Sequence, residues 1–226
     1  MRAEKVESIP TWEAALDCRA AQPVVRVEAL RSRGPLRGSS PVARRSTHGP
    51  LGGIFIVFPP LELRLQAFDP GAHATMLRNW LHRPHVAHWW GDPESALESA
   101  LGWPVENCAL IEADGAPIGY MCWQTPPGDE LEAAGLADLP HGLVDIDVLI
   151  GEPEFLGHGL GPRALNLLLA RLRANPLVLV AGVGTAVSNE RAVRAFIKAG
   201  FRTLREFQDP VFGPCLYMVA EVDNGA

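Results

Sequence analysis

Val144-Asp145-Ile146-Asp147-Val148-Leu149-Ile150-Gly151, continued by Phe155-Leu156-Gly157-His158-Gly159-Leu160-Gly161-Pro162-Arg163, is the stretch on which the fold turns. Its first half alternates, so Val144, Ile146, Val148 and Ile150 share one face of a strand while Leu143, Asp145, Asp147 and Leu149 share the other. Two carboxylates therefore point the same way. Partly desolvated, such a pair resists double ionisation, and one member moves toward the range of a useful base. Its second half is a glycine loop running into a helix, an arrangement that presents backbone N–H groups and a helix N-terminus to a phosphate-bearing ligand. Pro162 suits a first helical turn, where its missing N–H would be unpaired in any case.

Working outward, Leu165, Leu168, Leu169 and Leu172 fall at i, i+3, i+4 and i+7 and predict a helix buried on one face, ended by Asn175-Pro176. Leu177 to Val183 reads as a buried strand. Asn189 opens a further helix through Lys198, closed by Gly200, and Arg202–Phe207 with Cys215–Val222 reads as a final antiparallel pair. On the other side, Leu61–Gln66 alternates as a first strand, and His73–Leu81 and Glu94–Leu101 have helical spacing. Cys108–Glu112 and Pro117–Gln124 flank Asp114-Gly115, the signature of a tight hairpin. The segment from Thr125 to His141 reads as a polar loop carrying Asp129, Glu130, Glu132 and Asp138, either a solvated loop or a rim for a polycation. The whole predicts an α/β (α+β) domain with a mostly antiparallel sheet and one central strand–loop–helix unit.

The 226 residues carry a net charge of −6, which argues against nucleic acid as main partner and suits a small cationic one. The charge is uneven. Residues 1–53 hold nine basic and five acidic side chains, a net +4, leaving −10 to the remainder. Residues 1–57 are expected to be a flexible basic extension, with Thr11–Ala20 as a short helix, and 58–226 the folded domain. Cys18, Cys108, Cys122 and Cys215 form no CxxC pair, which points to reduced thiols in a cytoplasmic protein. No apolar run reaches the roughly 18 residues that span a bilayer. His82, His85 and His88 lack the four-residue spacing and completing ligand of a zinc site, so no metal is expected. The adjacent Trp89 and Trp90 either line a pocket or seal the edge of the core.

The glycine loop fits neither of two common phosphate sites. Gly-Lys-Ser and Gly-Lys-Thr are absent, and the order here is GxGxG late in the chain rather than GxGxxG after a first strand. Gly157-His158-Gly159-Leu160-Gly161, the amphipathic helix and strand after it, Val187-Ser188-Asn189-Glu190-Arg191-Ala192 and Lys198-Ala199-Gly200-Phe201 together resemble the acetyl-CoA-binding core of the GNAT acetyltransferases. Trp80-Leu81, Arg83, His85-Val86, Trp89-Trp90-Gly91, Ile118-Gly119-Tyr120, Ile146-Asp147, Leu156-Gly157 and Tyr217-Met218-Val219 resemble, more narrowly, the aminoglycoside 6'-N-acetyltransferases.

The resemblance implies a GNAT-like mixed sheet flanked by helices, with a splayed central strand pair. Acetyl-CoA would lie in the gap against the backbone of Val148 and Ile150, with Gly157, His158, Gly159, Leu160, Gly161 and Arg163 around its pyrophosphate and Asn189 and Phe196 along its arm. Asp147, with Asp145 beside it, would take the proton of an acceptor amine. Trp89, Trp90, Tyr120, Glu130 and Glu132 would join the two aspartates in bounding the acceptor pocket of an aminoglycoside. The protein would be a monomer or homodimer.

Three residues depart from the family pattern. Leu156 stands where Arg or Gln is frequent, Gly184 where an acid can stand, and Phe196 in place of the tyrosine that protonates the departing thiolate, so solvent or a residue such as Tyr120 would supply that proton. Acylation of another amine, such as a siderophore precursor or a protein N-terminus, and non-catalytic acyl-CoA binding are the rival readings.

Overall fold

A computed structural model describes residues 42–43, 56–57, 61–126, 128–133 and 142–222, without the side chains of 42–43, 56–57, 129–130 and 133. The expected helix at Thr11–Ala20, the character of residues 1–57, Asp138 and the side chains of Asp129 and Glu130 lie outside that description. Val42–Ala43 and Ile56–Val57 form a short antiparallel pair apart from the main sheet.

The main sheet has seven strands: β1 (Leu63–Ala67), β2 (Cys108–Ala113), β3 (Ala116–Gln124), β4 (Leu143–Ile150), β5 (Val180–Ala186), β6 (Arg202–Asp209) and β7 (Gly213–Glu221). Their spatial order is β1-β2-β3-β4-β5-β7-β6. Every neighbouring pair is antiparallel except β4 and β5. The mostly antiparallel sheet is the one expected, and Asp114 (φ 49°) and Gly115 (φ 80°) turn the β2–β3 hairpin as the Asp-Gly signal predicts.

Two cores lie on opposite faces. Val144, Ile146, Val148 and Ile150 of β4 pack with α5 (Leu160–Leu172) and α6 (Glu190–Lys198), through Leu160, Leu165, Leu168, Leu169, Leu172 and Phe196. Each fully buried leucine there contributes roughly 1.5–3 kcal/mol. Leu149 points the other way, into a core built with α1 (Pro70–Leu81), α2 (Pro84–Trp90) and α3 (Pro93–Gly102). All three of these helices begin at a proline, and Asp69 and Asp92 cap α1 and α3 by accepting from Gly71 N and Ser95 N, both at 2.9 Å.

Two expectations need correction, and one left open is decided. β5 begins at Val180 rather than Leu177, and Leu177 (78% exposed) and Leu179 (52%) face solvent. The turn at Asn175-Pro176 places Val178 inward, and the Gly142 carbonyl takes the Leu179 and Val180 N–H groups before the ladder starts at Leu143↔Val180. The segment after Arg83-Pro84 is itself helical, and both tryptophans are buried, because a short helix packed between α1, α3 and the sheet has apolar neighbours on adjoining flanks. The polar loop contains a helical turn, α4 (Gly128–Ala133).

Candidate active site

β4 is the axis of the site. It pairs with β3 over six positions, Asp145↔Gln124 through Ile150↔Gly119, but with β5 only from Leu143↔Val180 to Asp145↔Gly182. Beyond Asp145 the parallel strands diverge, and the β5-facing edge from Ile146 to Ile150 opens into the gap expected of a splayed pair. At its mouth lies a cleft of about 150 Å³ bounded by Ile150, by the glycine loop and by α6. Gly157 (φ 80°) and Gly159 (φ 72°) adopt a left-handed backbone that side chains disfavour, and Gly159 is the N-cap of α5. The loop thus turns its N–H groups and a helix N-terminus toward the cleft.

The opposite wall is cationic. Arg191, Arg194 and Lys198 fall at i, i+3 and i+7 of α6 and line the same cleft, with Arg194 also paired to Glu190 at 2.9 Å. Sequence reasoning overlooked these three, although their spacing was visible once the helix was assigned. Asn189 caps α6 by accepting from Ala192 N at 3.2 Å, and its buried Nδ2 has no partner among the described residues. An unsatisfied buried donor, a backbone cradle and three cations fit an acyl-CoA, with amide groups along its arm and phosphates at its end.

Not every residue expected at the cofactor turns its side chain to the cleft. Arg163 donates to Leu61 O at 2.6 Å, so its guanidinium is tied to the segment that leads into β1. Phe196 is 2% exposed and packs on Phe201 in the core instead of facing the cleft, because its position on α6 points toward the sheet. His158 is exposed on the loop and Leu160 is buried beneath it, so the backbone is what both offer. The Val148 side chain likewise faces the core.

On the other face of β4, Asp145 and Asp147 are half-buried side by side, as the alternation requires. Asp145 Oδ1 accepts from Tyr217 Oη at 3.0 Å, and the Cys122 thiol donates to Asp147 Oδ2 at 3.9 Å. Burial, with the Asp145 charge behind it, pushes the Tyr217 phenol far above its ordinary pKa; burial, with the Asp147 charge behind it, does the same to Cys122. Both remain protonated donors at every physiological pH. The expected acceptor walls Trp89 (5% exposed), Trp90 (4%) and Tyr120 (0%) are core residues beneath this face. Tyr120 directs its hydroxyl at Cys108 Sγ (3.2 Å) and Ala100 O (3.5 Å), and burial raises its pKa far beyond reach. It cannot serve as the proton donor considered for a departing thiolate. Glu132 is exposed on α4.

A polar joint locks α1 and α2 to the end of β4. Trp80 Nε1 donates to Glu152 Oε1 at 2.8 Å, and Arg83 donates to Glu152 Oε2 and to Gly151 O at 2.7 Å. His85 Nε2 donates to Ile150 O at 3.1 Å, a carbonyl being able only to accept. Burial, partly offset by that carbonyl, lowers the His85 pKa. Glu152 is lowered too: burial alone would raise it, but the bonds from Arg83 and Trp80 outweigh that effect. Among the described residues no cluster of three metal-ligating side chains occurs, and no helix is long and apolar enough to cross a membrane.

Comparison with known proteins agrees with this geometry. Residues 69–209 match the acetyltransferase (GNAT) domain family. The chain is 31% identical over 154 residues to aminoglycoside N(6')-acetyltransferase type 1 of Klebsiella pneumoniae and to that of Serratia marcescens, covering 64% of this chain and 76% of each relative. The crystal structure of aminoglycoside acetyltransferase AAC(6')-Ib in complex with coenzyme A and kanamycin superposes with a TM-score of 0.59 at 26% identity, covering 71% of this chain and 95% of that one. A strand pair that parts beside a glycine loop, a cationic helix across the cleft and these matches lead to one assignment: the chain belongs to the GNAT acetyltransferase family.

Proposed function

We propose that this acetyltransferase moves the acetyl group of acetyl-CoA to the 6'-amine of an aminoglycoside, with Asp147 as general base. The observation that carries the reading is the half-buried Asp145–Asp147 pair on the strand whose edge opens into the cofactor cleft. The relatives' names supply the acceptor class. Acetyl-CoA brings the activated acetyl thioester. The chain holds it with Gly157, Gly159 and Gly161 and with Arg191, Arg194 and Lys198, while the free edge of β4 from Ile146 to Ile150 offers backbone groups to its arm. Asp147 accepts a proton from the acceptor ammonium, leaving a neutral amine with its lone pair available for attack. The net −10 of the chain beyond residue 53 attracts a polycationic sugar to the domain. With Phe196 and Tyr120 both enclosed in the core, solvent at the open cleft is the source of the proton the thiolate needs.

Acetyl transfer from acetyl-CoA to kanamycin, followed by release of free thiol and by mapping the modified amine, tests the reading. Asp147→Asn is expected to lower kcat by roughly 10²–10⁴-fold while acetyl-CoA still binds. Turnover equal to wild type in that variant removes Asp147 from the chemistry, and thiol release only with non-sugar amines replaces the acceptor.

A further inference from the structure

β5 carries a buried hydroxyl that the two cores do not use. The parallel ladder between β4 and β5 ends at Asp145↔Gly182, and three residues further along each strand Val148 and Thr185 stand level with each other on either side of the gap. The faces of β5 alternate. Ala181 and Val183 belong to the core under α5 and α6, whereas Ala186 belongs to the core on the other face, and a Cβ at Gly182 would meet the Tyr217 hydroxyl at 2.2 Å on that other face. Thr185 therefore points to the α5 and α6 side, as Val148 does on β4. It is 0% exposed, and its Oγ1 has no hydrogen-bond partner among the described residues. The turn closed by Asn189 N donating to Ala186 O at 2.9 Å then brings Asn189, 1% exposed, to the start of α6, with Oδ1 taken by the cap and Nδ2 without a partner.

Two such groups on one strand–turn–helix unit destabilise the ligand-free protein, since a buried hydroxyl or amide N–H without a partner has given up its bonds to water. Packing does not require the hydroxyl: valine has the shape of threonine, and Val148 and Val183 fill neighbouring positions of the same layer. We propose that Thr185 is a further cofactor-binding residue, its hydroxyl and the Asn189 Nδ2 together taking an amide of the acyl-CoA arm where the arm passes between β4 and β5. A secondary amide presents one N–H and one C=O. A hydroxyl that accepts beside an amide N–H that donates answers both. The contacts along the cofactor are thereby divided: Arg194 and Lys198 meet phosphate charge at the mouth of the cleft, and two uncharged groups hold the arm deeper in the gap. Val148 follows Asp147 on β4, so an arm fixed opposite Val148 is held close to the residue proposed as base.

This inference rests on the acyl-CoA reading of the cleft proposed above, and the experiment separates the two. Thr185→Val removes the hydroxyl and keeps the shape, Thr185→Ser keeps the hydroxyl, and Asn189→Ser keeps a capping oxygen for α6 while removing the donor. Each full-length variant is compared with the wild type by calorimetric titration with coenzyme A and with adenosine 3',5'-bisphosphate, which carries phosphates but no arm, and by thermal melting without ligand. Thr185→Val should bind coenzyme A about ten-fold more weakly and bind the bisphosphate as the wild type does. It should also melt about 2–4 °C higher, because a methyl group has replaced an unpartnered hydroxyl. Asn189→Ser should lose a similar factor for coenzyme A, and Thr185→Ser should stay close to wild type. A threonine that only completes the core would show the reverse, a lower Tm with coenzyme A affinity unchanged. Coenzyme A affinity equal to wild type in Thr185→Val, or an equal loss for the bisphosphate, overturns the assignment. A wild type that binds neither ligand overturns the acyl-CoA reading itself, and the inference with it.

Discussion

A Cβ placed on Gly151 would lie 2.2, 2.3 and 2.5 Å from Cγ, Cδ2 and Cδ1 of Trp80. Ordinary carbon contacts are about 3.5–4 Å, so the indole would have to retreat by more than about 1 Å. It has nowhere to go, being 1% exposed and held at its far edge by the Nε1 bond to Glu152. Overpacking of this kind costs about 1–3 kcal/mol, and loosening a hydrogen bond to a charged carboxylate costs about 1.5 kcal/mol more. For Gly151→Ala this amounts to roughly 3 kcal/mol, and at about 2–4 °C per kcal/mol for a domain of this size it lowers Tm by roughly 6–12 °C. Gly161 is the internal control. It lies within α5, has no positive φ, and a Cβ there meets nothing within 4 Å. Gly161→Ala should therefore hold Tm or raise it by about 1–4 °C, from about 0.5–1 kcal/mol of helix propensity. Both are read by circular dichroism of the ligand-free protein. A Gly151→Ala loss below about 2 °C, or equal losses at the two positions, would refute the seating of Trp80 on the end of β4.

The same joint should make stability fall in acid. His85 has a folded pKa below its ordinary 6.5, so the unfolded chain binds more protons between the two values; stability is full above about pH 6.5 and declines as pH falls toward the folded pKa. Glu152 also has a lowered folded pKa, so its contribution is full above its ordinary value and disappears as pH falls through the folded one. Tm measured from pH 8 to pH 4 should show a descent beginning near 6.5 that His85→Gln removes, and a second near 4.5 that remains in that variant. On α6, Arg194→Ala and Lys198→Ala should each weaken coenzyme A about ten-fold at low salt. Calorimetry should show the deficit shrinking as salt rises, with no change in KM for the acceptor amine.

Much of the site could be read in one dimension because it is built from local patterns. The alternation of Val144 to Ile150 placed two aspartates on one face, and they are there. The glycine loop, the leucine stripe of α5 and the Asp114-Gly115 turn are likewise consequences of residues a few positions apart. Errors arose where exposure depends on a distant neighbour. Leu177 and Leu179 are apolar yet face solvent, because the strand ladder starts only at Val180. Tyr120 and Phe196 have side chains suited to a site, but their strand and helix present them to the two cores. Arg191, Arg194 and Lys198 drew no reading from the sequence, because the cleft they line forms only when α6 meets the glycine loop.

From its sequence alone, the protein was committed to a strand with paired carboxylates, a glycine loop entering a helix and a mixed α/β domain, because side-chain periodicity and backbone freedom are properties of short segments; the acyl-CoA came from the family resemblance. Only the tertiary structure decided what meets each carboxylate, Tyr217 at Asp145 and Cys122 at Asp147. Tyr217 and Asp145 are 72 residues apart and meet because β7 and β4 flank β5 at a position without a Cβ. A hydrogen bond that acts through space across an intervening strand leaves no periodic trace in the chain, so this contact had to wait for the fold.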